Sequence, residues 1–152
     1  MHRHGIPAQA WVVVCDGGKA LILQNDGDEK FPNLQVHSSH SIDNAPTHLQ
    51  GADAPGRVHA STGAARSAVK QTDWHEQAEQ TFIREFADGL NKAVTAGTPK
   101  AMILIAPPRA LGILRNSLSP AALKTVTIEL HHDYTHLPTY EIEKRLLAGS
   151  DA

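Results

Sequence analysis

The stretch that decides the fold is Gly63–Leu90, which reads GAARSAVKQTDWHEQAEQTFIREFADGL. Apolar residues recur in it, and just beyond it, at the spacing of one helical face. These residues are Ala78, Phe82, Ile83, Phe86, Leu90, Ala93 and Val94. The pattern predicts a long amphipathic helix whose apolar face the other elements must cover.

Signals at both ends bound this predicted helix. Asp73 is suited to accept a backbone hydrogen bond as the N-cap residue, and Glu76, three residues later, completes a capping box. Gly97 suits the residue that follows a helix, and Thr98-Pro99 prevents its continuation. We therefore expect a helix that begins at Asp73 and ends near Gly97.

The segment before this helix, residues 44–72, lacks any sustained hydrophobic period and is rich in Ala, Gly, Ser and Pro. A loop of that length in a compact domain is usually functional or disordered. The part from Ala54 to Thr72 contains Arg57, Arg66 and Lys70 and no acidic residue. This local excess of positive charge indicates phosphate binding through charge alone; a plain solvated loop is the alternative.

Short β-type runs and helical patterns alternate along the rest of the chain. The predicted strands are Trp11–Cys15, Lys19–Gln24, Leu34–Ile42, Met102–Ile105 and Thr125–Leu130. Further helices are expected from Pro108, from Ser119-Pro120 and from Thr139. The order predicts an α/β fold with a mixed sheet of about five strands and helices packed on it. We expect one domain over residues 11–148, a flexible N-terminal tail over 1–10 and a C-terminal tail over 149–152.

The composition is that of an ordinary globular domain, with 152 residues, 41% of them hydrophobic. The net charge of -2 argues against a broad nucleic-acid-binding surface, so any such binding needs a local basic patch. The single cysteine, Cys15, lies in an apolar run and excludes an intramolecular disulfide. Because no apolar run is long enough for a signal peptide or a membrane span, we expect a cytoplasmic protein.

Two histidine-containing motifs have the residue types of metal sites. His75-Glu76 is similar to the start of the zinc-protease motif H-E-x-x-H, but Glu79 stands where the second histidine belongs. We interpret Glu76 as a capping residue and His75 as a surface histidine. The second motif consists of His131, His132, Asp133 and His136. The two adjacent histidines would face opposite sides of a continuing strand, so a solvated strand end is favoured over a metal site.

The sequence Ala106-Pro107-Pro108-Arg109 places a helix N-terminus directly after a buried strand. Anions bind at such positions in open α/β sheets, because free backbone N–H groups point outward. Arg109 would reinforce this attraction, and Arg115 adds a second cation to the same helix. The alternative is a packing device with a surface arginine, since proline suits a first helical turn with or without a ligand.

Taken together, several motifs resemble the bacterial host attachment protein family. They are Asp16-Gly17, Ala65-Arg66-Ser67-Ala68, Thr72-Asp73-x-His75-Glu76, Phe82 with Glu85-Phe86-Ala87, Ala106-Pro107-Pro108-Arg109-x-Leu111-Gly112, Leu118-Ser119-Pro120 and Asp133-x-Thr135. The resemblance covers roughly Trp11 to Leu147. It implies a fold similar to the middle domain of archaeal and eukaryotic class-1 peptide-chain release factors, a mixed sheet with flanking helices.

The resemblance also implies where function would lie. In those release factors a Gly-Gly-Gln loop precedes a long helix and enters the ribosomal peptidyl-transferase centre. Here the corresponding loop reads Gly63-Ala64-Ala65-Arg66, without the glutamine, so peptide release is not expected. We therefore predict a non-catalytic binding protein without a cofactor or metal, which contacts the ribosome or ribosomal RNA.

The residues proposed for this binding are Arg57, Arg66, Lys70, Arg109 and Arg115, and those of the loop–helix junction are Gly63, Asp73, His75 and Glu76. Two alternatives remain. The family name implies attachment to host cells through contacts with a host or envelope protein. A metal-dependent hydrolase at one of the histidine motifs is the less favoured reading.

Overall fold

The computed structural model describes the backbone of residues 5–42 and 64–148, and the side chains of 5–42 and 75–148. Within this part of the chain there are five strands and four helices. The strands are β1 (Trp11–Cys15), β2 (Lys19–Asn25), β3 (Leu34–Ser41), β4 (Met102–Ile105) and β5 (Val126–Leu130). The helices are α1 (Ala64–Thr95), α2 (Pro108–Ser117), α3 (Pro120–Thr125) and α4 (Thr139–Ala148).

The strands form one mixed sheet in the order β3-β2-β1-β4-β5. The first three strands pair antiparallel as a meander, whereas β1, β4 and β5 run parallel. The helices between the parallel strands are the crossovers that such pairs require. The predicted α/β fold with a mixed five-stranded sheet is therefore confirmed, and each predicted strand lies within about one residue of its expected bounds.

Alternating side chains of the central strands feed two separate hydrophobic clusters, one on each face of the sheet. The first face packs against α1, α2 and α3 through residues that include Val13, Ile83, Leu90, Leu104 and Leu114. The second packs against α4 and the N-terminal segment through residues that include Val12, Val14, Ile105, Ile142 and Leu146. The domain is thus a three-layer arrangement of helices, sheet and helix.

Helix α1 begins at Ala64, so the prediction of a start at Asp73 is wrong. Positions 64–88 contain neither glycine nor proline, and their alanines favour helix even where no apolar period is present. Asp73 therefore lies inside the helix, not at its N-cap. Glu76, which the sequence assigns to a capping box, instead faces Arg109. The predicted loop over 44–72 is helical in its last part.

The C-terminus of α1 agrees with the prediction. Gly97 has a left-handed backbone conformation with φ of 101°. Its N–H donates to the carbonyl of Val94, and the N–H of Thr98 donates to the carbonyl of Ala93. These two hydrogen bonds form a Schellman motif, in which the absence of a Cβ lets Gly97 turn the chain out of the helix.

In the described part of the N-terminal segment, residues 5–10, two apolar side chains pack into the domain. Ile6 and Ala10 are buried and belong to the second hydrophobic cluster. The fully buried side chain of Asn25 donates to the carbonyl of Ile6 and accepts from the backbone N–H groups of Gly27 and Asn33. One amide thus ties the entry to β1 to the turn after β2, which no local sequence pattern indicates.

Candidate functional site at the carboxyl edge of the sheet

The three parallel strands end at one edge of the sheet, and polar residues follow each of them. Asp16 and Gly17 follow β1, and Asp133 to His136 follow β5. Arg109 lies in the first turn of helix α2, which comes after β4. Helix α1 passes over the same edge at Glu79. Ligands bind at this edge in open α/β sheets, so these polar residues form a candidate functional site.

Asp16 is held by three hydrogen bonds. Its Oδ1 accepts from the backbone N–H groups of Gly18 and Lys19, both at 2.8 Å, which fixes the turn between β1 and β2. Its Oδ2 lies 2.9 Å from the hydroxyl of Thr135, which is 2% exposed. The same hydroxyl lies 2.8 Å from Oδ1 of Asp133. Its single proton can be donated to one carboxylate at a time.

Asp16, Asp133 and His136 each offer one ligand atom to a common point, with these atoms within 4.8 Å of one another. Carboxylate and imidazole are ligands for a divalent cation. However, backbone N–H groups and Thr135 already provide partners for both carboxylates. His132 stacks on Tyr134 at 5.3 Å and, with His131, stands outside this group.

Beside Asp16, Gly17 allows helix α1 to approach the end of β1. A Cβ atom at this position would lie 2.7 Å from Cδ of Glu79. Glu79 in turn faces Arg109, with 3.8 Å between Oε1 and Nη1, and Glu76 lies 3.9 Å from the other terminal nitrogen. The arginine predicted to attract an anion therefore already faces two carboxylates of the chain itself.

The second predicted cation of this helix, Arg115, is also paired. Its Nε lies 2.9 Å from Oε2 of Glu129 on β5. Arg109 and Arg115 both keep about half of their side-chain surface exposed. A phosphate at either arginine would have to compete with a carboxylate, so these two residues are weaker candidates for the main phosphate contact than sequence alone indicates.

Cys15, at the end of β1, is chemically inert. Burial, reinforced by the neighbouring charge of Asp16, raises the pKa of its thiol to about 12. A thiol with this pKa is almost entirely protonated at neutral pH and is a poor nucleophile. This agrees with the interpretation of Cys15 as a core residue.

The remaining predicted residues lie on or before the N-terminal half of α1. Arg57 and Gly63 lie outside the described residues. Arg66, Lys70 and Asp73 lie in the helical backbone of α1, but their side chains are outside the described set. His75 is described and exposed. The structure thus brings Glu76 and Arg109 together at the carboxyl edge.

The hydrogen-bonded link between Asp16 and Thr135 is the part of the site that the residue patterns do not predict. The two residues are 119 positions apart in sequence. Asp16 appears in the sequence as part of a turn signal, and Thr135 as part of a connection after β5. The sequence singles out both residues through the motifs that resemble the host attachment protein family. They meet because β1, β4 and β5 are parallel and end at the same edge of the sheet.

The chain was also compared with known proteins. The model of bacterial archaeo-eukaryotic release factor family 12 matches residues 9–146. The chain belongs to this family. The match covers every strand and nearly all of the helical residues of the described fold, so the predicted resemblance to release factors is confirmed.

No curated protein sequence matches this member of release factor family 12. Among the described residues, no helix has the length and hydrophobicity that crossing a membrane requires.

Proposed function

We propose that this protein is a non-catalytic, translation-associated binder that contacts ribosomal RNA through the N-terminal turns of α1. The observation that carries the proposal is the early start of this helix at Ala64. Arg66 and Lys70 then occupy positions one helical turn apart, which share a face. Membership of a release-factor family supports the association with translation.

The position of α1 on the sheet adds a geometric argument. Glu79 already lies at the carboxyl edge, against Gly17. At about 1.5 Å per residue, the stretch from Ala64 to Glu79 extends about 22 Å further along the helix axis. The basic positions 66 and 70 therefore belong to the part of α1 that continues past the edge of the sheet, a placement suited to reaching a phosphate backbone.

In this proposal, charge is the main source of affinity. Lys and Arg bind RNA by displacing counterions from phosphates, which makes the affinity depend strongly on salt. Arg57, just before the helix, would add to the same basic segment, and Arg109 and Arg115 would contribute after release from their carboxylate partners. Since the glutamine of the release-factor loop is absent, we assign no peptide-release activity.

The test is co-sedimentation of the purified protein with ribosomes at low and high salt. We expect Arg66→Glu combined with Lys70→Glu to abolish low-salt binding. The matched control is Lys124→Glu combined with Lys144→Glu, which reverses the same charge at two exposed positions on other helices. Equal sedimentation of the Arg66/Lys70 variant and the wild type would refute the proposal.

Attachment to host cells is the alternative that the family resemblance implies, and it requires exposure on the cell surface. A translation-associated binder instead acts in the cytoplasm. Cell fractionation separates the two, because the proposed function expects the protein with ribosomes, whereas direct adhesion expects it in the envelope fraction. Protease treatment of intact cells that leaves the protein intact would count against direct adhesion.

A further inference from the structure

A groove of about 560 Å³ lies between strand β3 and helix α1, away from the carboxyl-edge residues. Helix α1 packs over the centre of the sheet, so the same face of β2 and β3 forms the floor and one wall of the groove. The buried residues that line the groove include Trp11 of β1, Ile22 of β2 and Leu90 of α1. A groove of this volume is large enough for one small organic group.

A β-bulge turns the polar residues of β3 toward this groove. Val36 pairs with Leu23, but Ser38 pairs with the next residue, Ile22, so His37 is an extra residue in the strand. A bulge interrupts the alternation of side chains and re-aims those beside it. As a result His37 and His40, which an unbroken strand would place on opposite faces, both line the groove.

Aromatic rings form the walls. The ring centroids of His37 and Trp11 are 4.8 Å apart. Those of His40 and Phe86 are 5.5 Å apart, with the two rings in an edge-to-face arrangement. Phe82, partly buried on α1, lines the groove as well. A groove lined by aromatic rings favours a flat ligand, since stacking on aromatic side chains stabilises any base with a π-face.

The polar groups of the groove define the ligand further. Glu85 lines it and has neither an ion-pair nor a hydrogen-bond partner among the described residues. A carboxylate is an acceptor for the exocyclic amino group of a base. No lysine or arginine is among the described residues that line the groove, so a phosphate is not favoured inside it. These features suit the amino-bearing base of a nucleotide whose phosphate groups lie outside the groove.

We infer that this groove binds one unpaired, amino-bearing nucleobase of single-stranded RNA, stacked on the aromatic rings that line it, with its amino group donating to Glu85. This inference rests on the proposed function, because it identifies how the same RNA would be gripped. Extruded bases that stack on aromatic rings are the usual means by which proteins read single-stranded RNA.

Helix α1 connects the groove to the proposed phosphate contacts. At about 1.5 Å and about 100° per residue, position 70 and Glu85 are about 22 Å apart along the axis and differ by about 60° around it. The two therefore lie on the same side of the helix. A single RNA strand that follows this side would meet position 70 first and the groove next.

Gly89 offers a way to close the groove without disturbing the core. It lines the groove from α1, and a Cβ atom added there would meet nothing within 4 Å. Gly89→Phe should therefore fill the groove with a ring of the protein itself. Gly112 on α2 has the same open surroundings and is not among the lining residues, so Gly112→Phe is the matched control.

The probes are hexacytidylate and hexauridylate, pyrimidine strands that differ in whether the base has an amino group. Affinities are measured with the full chain by fluorescence anisotropy at low salt. We expect the wild type to prefer hexacytidylate by about tenfold, and Glu85→Ala to remove this preference. Gly89→Phe should weaken binding of hexacytidylate by about tenfold or more, whereas Gly112→Phe should leave it unchanged.

Unchanged affinity in Gly89→Phe and an unchanged cytidine preference in Glu85→Ala would overturn the inference. If the nucleoside cytidine alone bound as tightly as hexacytidylate, the assignment to an RNA strand would be wrong. The proposed function fails separately, through ribosome sedimentation that is insensitive to Arg66→Glu and Lys70→Glu. Circular dichroism confirms that each variant is folded.

Discussion

The carboxyl edge of the sheet and the groove between β3 and α1 are both polar, yet they differ in how their polar groups are used. At the edge, Asp16 has three partners and Arg109 faces two carboxylates. In the groove, Glu85 has neither an ion-pair nor a hydrogen-bond partner among the described residues, whereas the ring of His37 lies tilted against Trp11 and His40 lies 3.2 Å from the hydroxyl of Ser38. Polar side chains that satisfy one another stabilise a fold, whereas those left to solvent are available to a ligand.

This difference separates two roles that sequence motifs cannot distinguish. The motif residues Asp16 and Thr135 are linked by a hydrogen bond, whereas Arg109 lies 3.8 Å from Glu79 in an exposed ion pair. The hydrogen bonds of Asp16 and Thr135 close the parallel strand ends, because the carboxylate and the hydroxyl both have partners within the chain. Of the residues that line the groove, Phe82, Glu85 and Phe86 belong to the resemblance motifs.

The largest expected effect comes from removing the central carboxylate of the edge. Asp16→Ala leaves the N–H groups of Gly18 and Lys19 without their acceptor and deprives the buried Thr135 hydroxyl of one of its two. We expect the free energy of unfolding in urea to fall by about 3 kcal/mol. Glu85→Ala in the groove should change it by less than about 0.5 kcal/mol.

Asp16→Asn is the control for this comparison, because its amide oxygen still accepts from the two backbone N–H groups. It should lose less stability than Asp16→Ala. An Asp16→Ala protein as stable as the wild type would show that the edge residues are not structural, and would return them to consideration as a binding site.

The sequence predicted the strands well because hydrophobic runs such as Met102–Ile105 have a strong local signal. It failed at the start of α1, where the first turns lack an apolar stripe and helix propensity alone decides. It also missed the groove. The side on which His37 lies depends on a bulge in the pairing with β2, and register is set between strands, not within one.

A smaller effect is expected from the space beside Gly89. A glycine within a helix costs about 1 kcal/mol relative to alanine, and the added methyl group would meet no neighbour. Gly89→Ala should therefore raise the free energy of unfolding by about 1 kcal/mol, measured in urea, and Gly112→Ala on α2 should do the same. A loss of stability at Gly89 alone would mean that the groove is occupied in the folded protein, contrary to the open space beside Gly89.

The smallest effect is expected for the ion pair at the edge. Arg109 and Glu79 are 3.8 Å apart, and about half of each side chain is exposed to solvent. Exposed pairs of this kind contribute about 0.2–1 kcal/mol. A double-mutant cycle of Arg109→Ala and Glu79→Ala should give a coupling energy below about 0.5 kcal/mol, decreasing further in 1 M salt, where screening is strong. A coupling above about 1.5 kcal/mol would place the pair with Asp16 as part of the structural closure. A coupling near zero would leave Arg109 able to exchange its carboxylate for a phosphate at little cost.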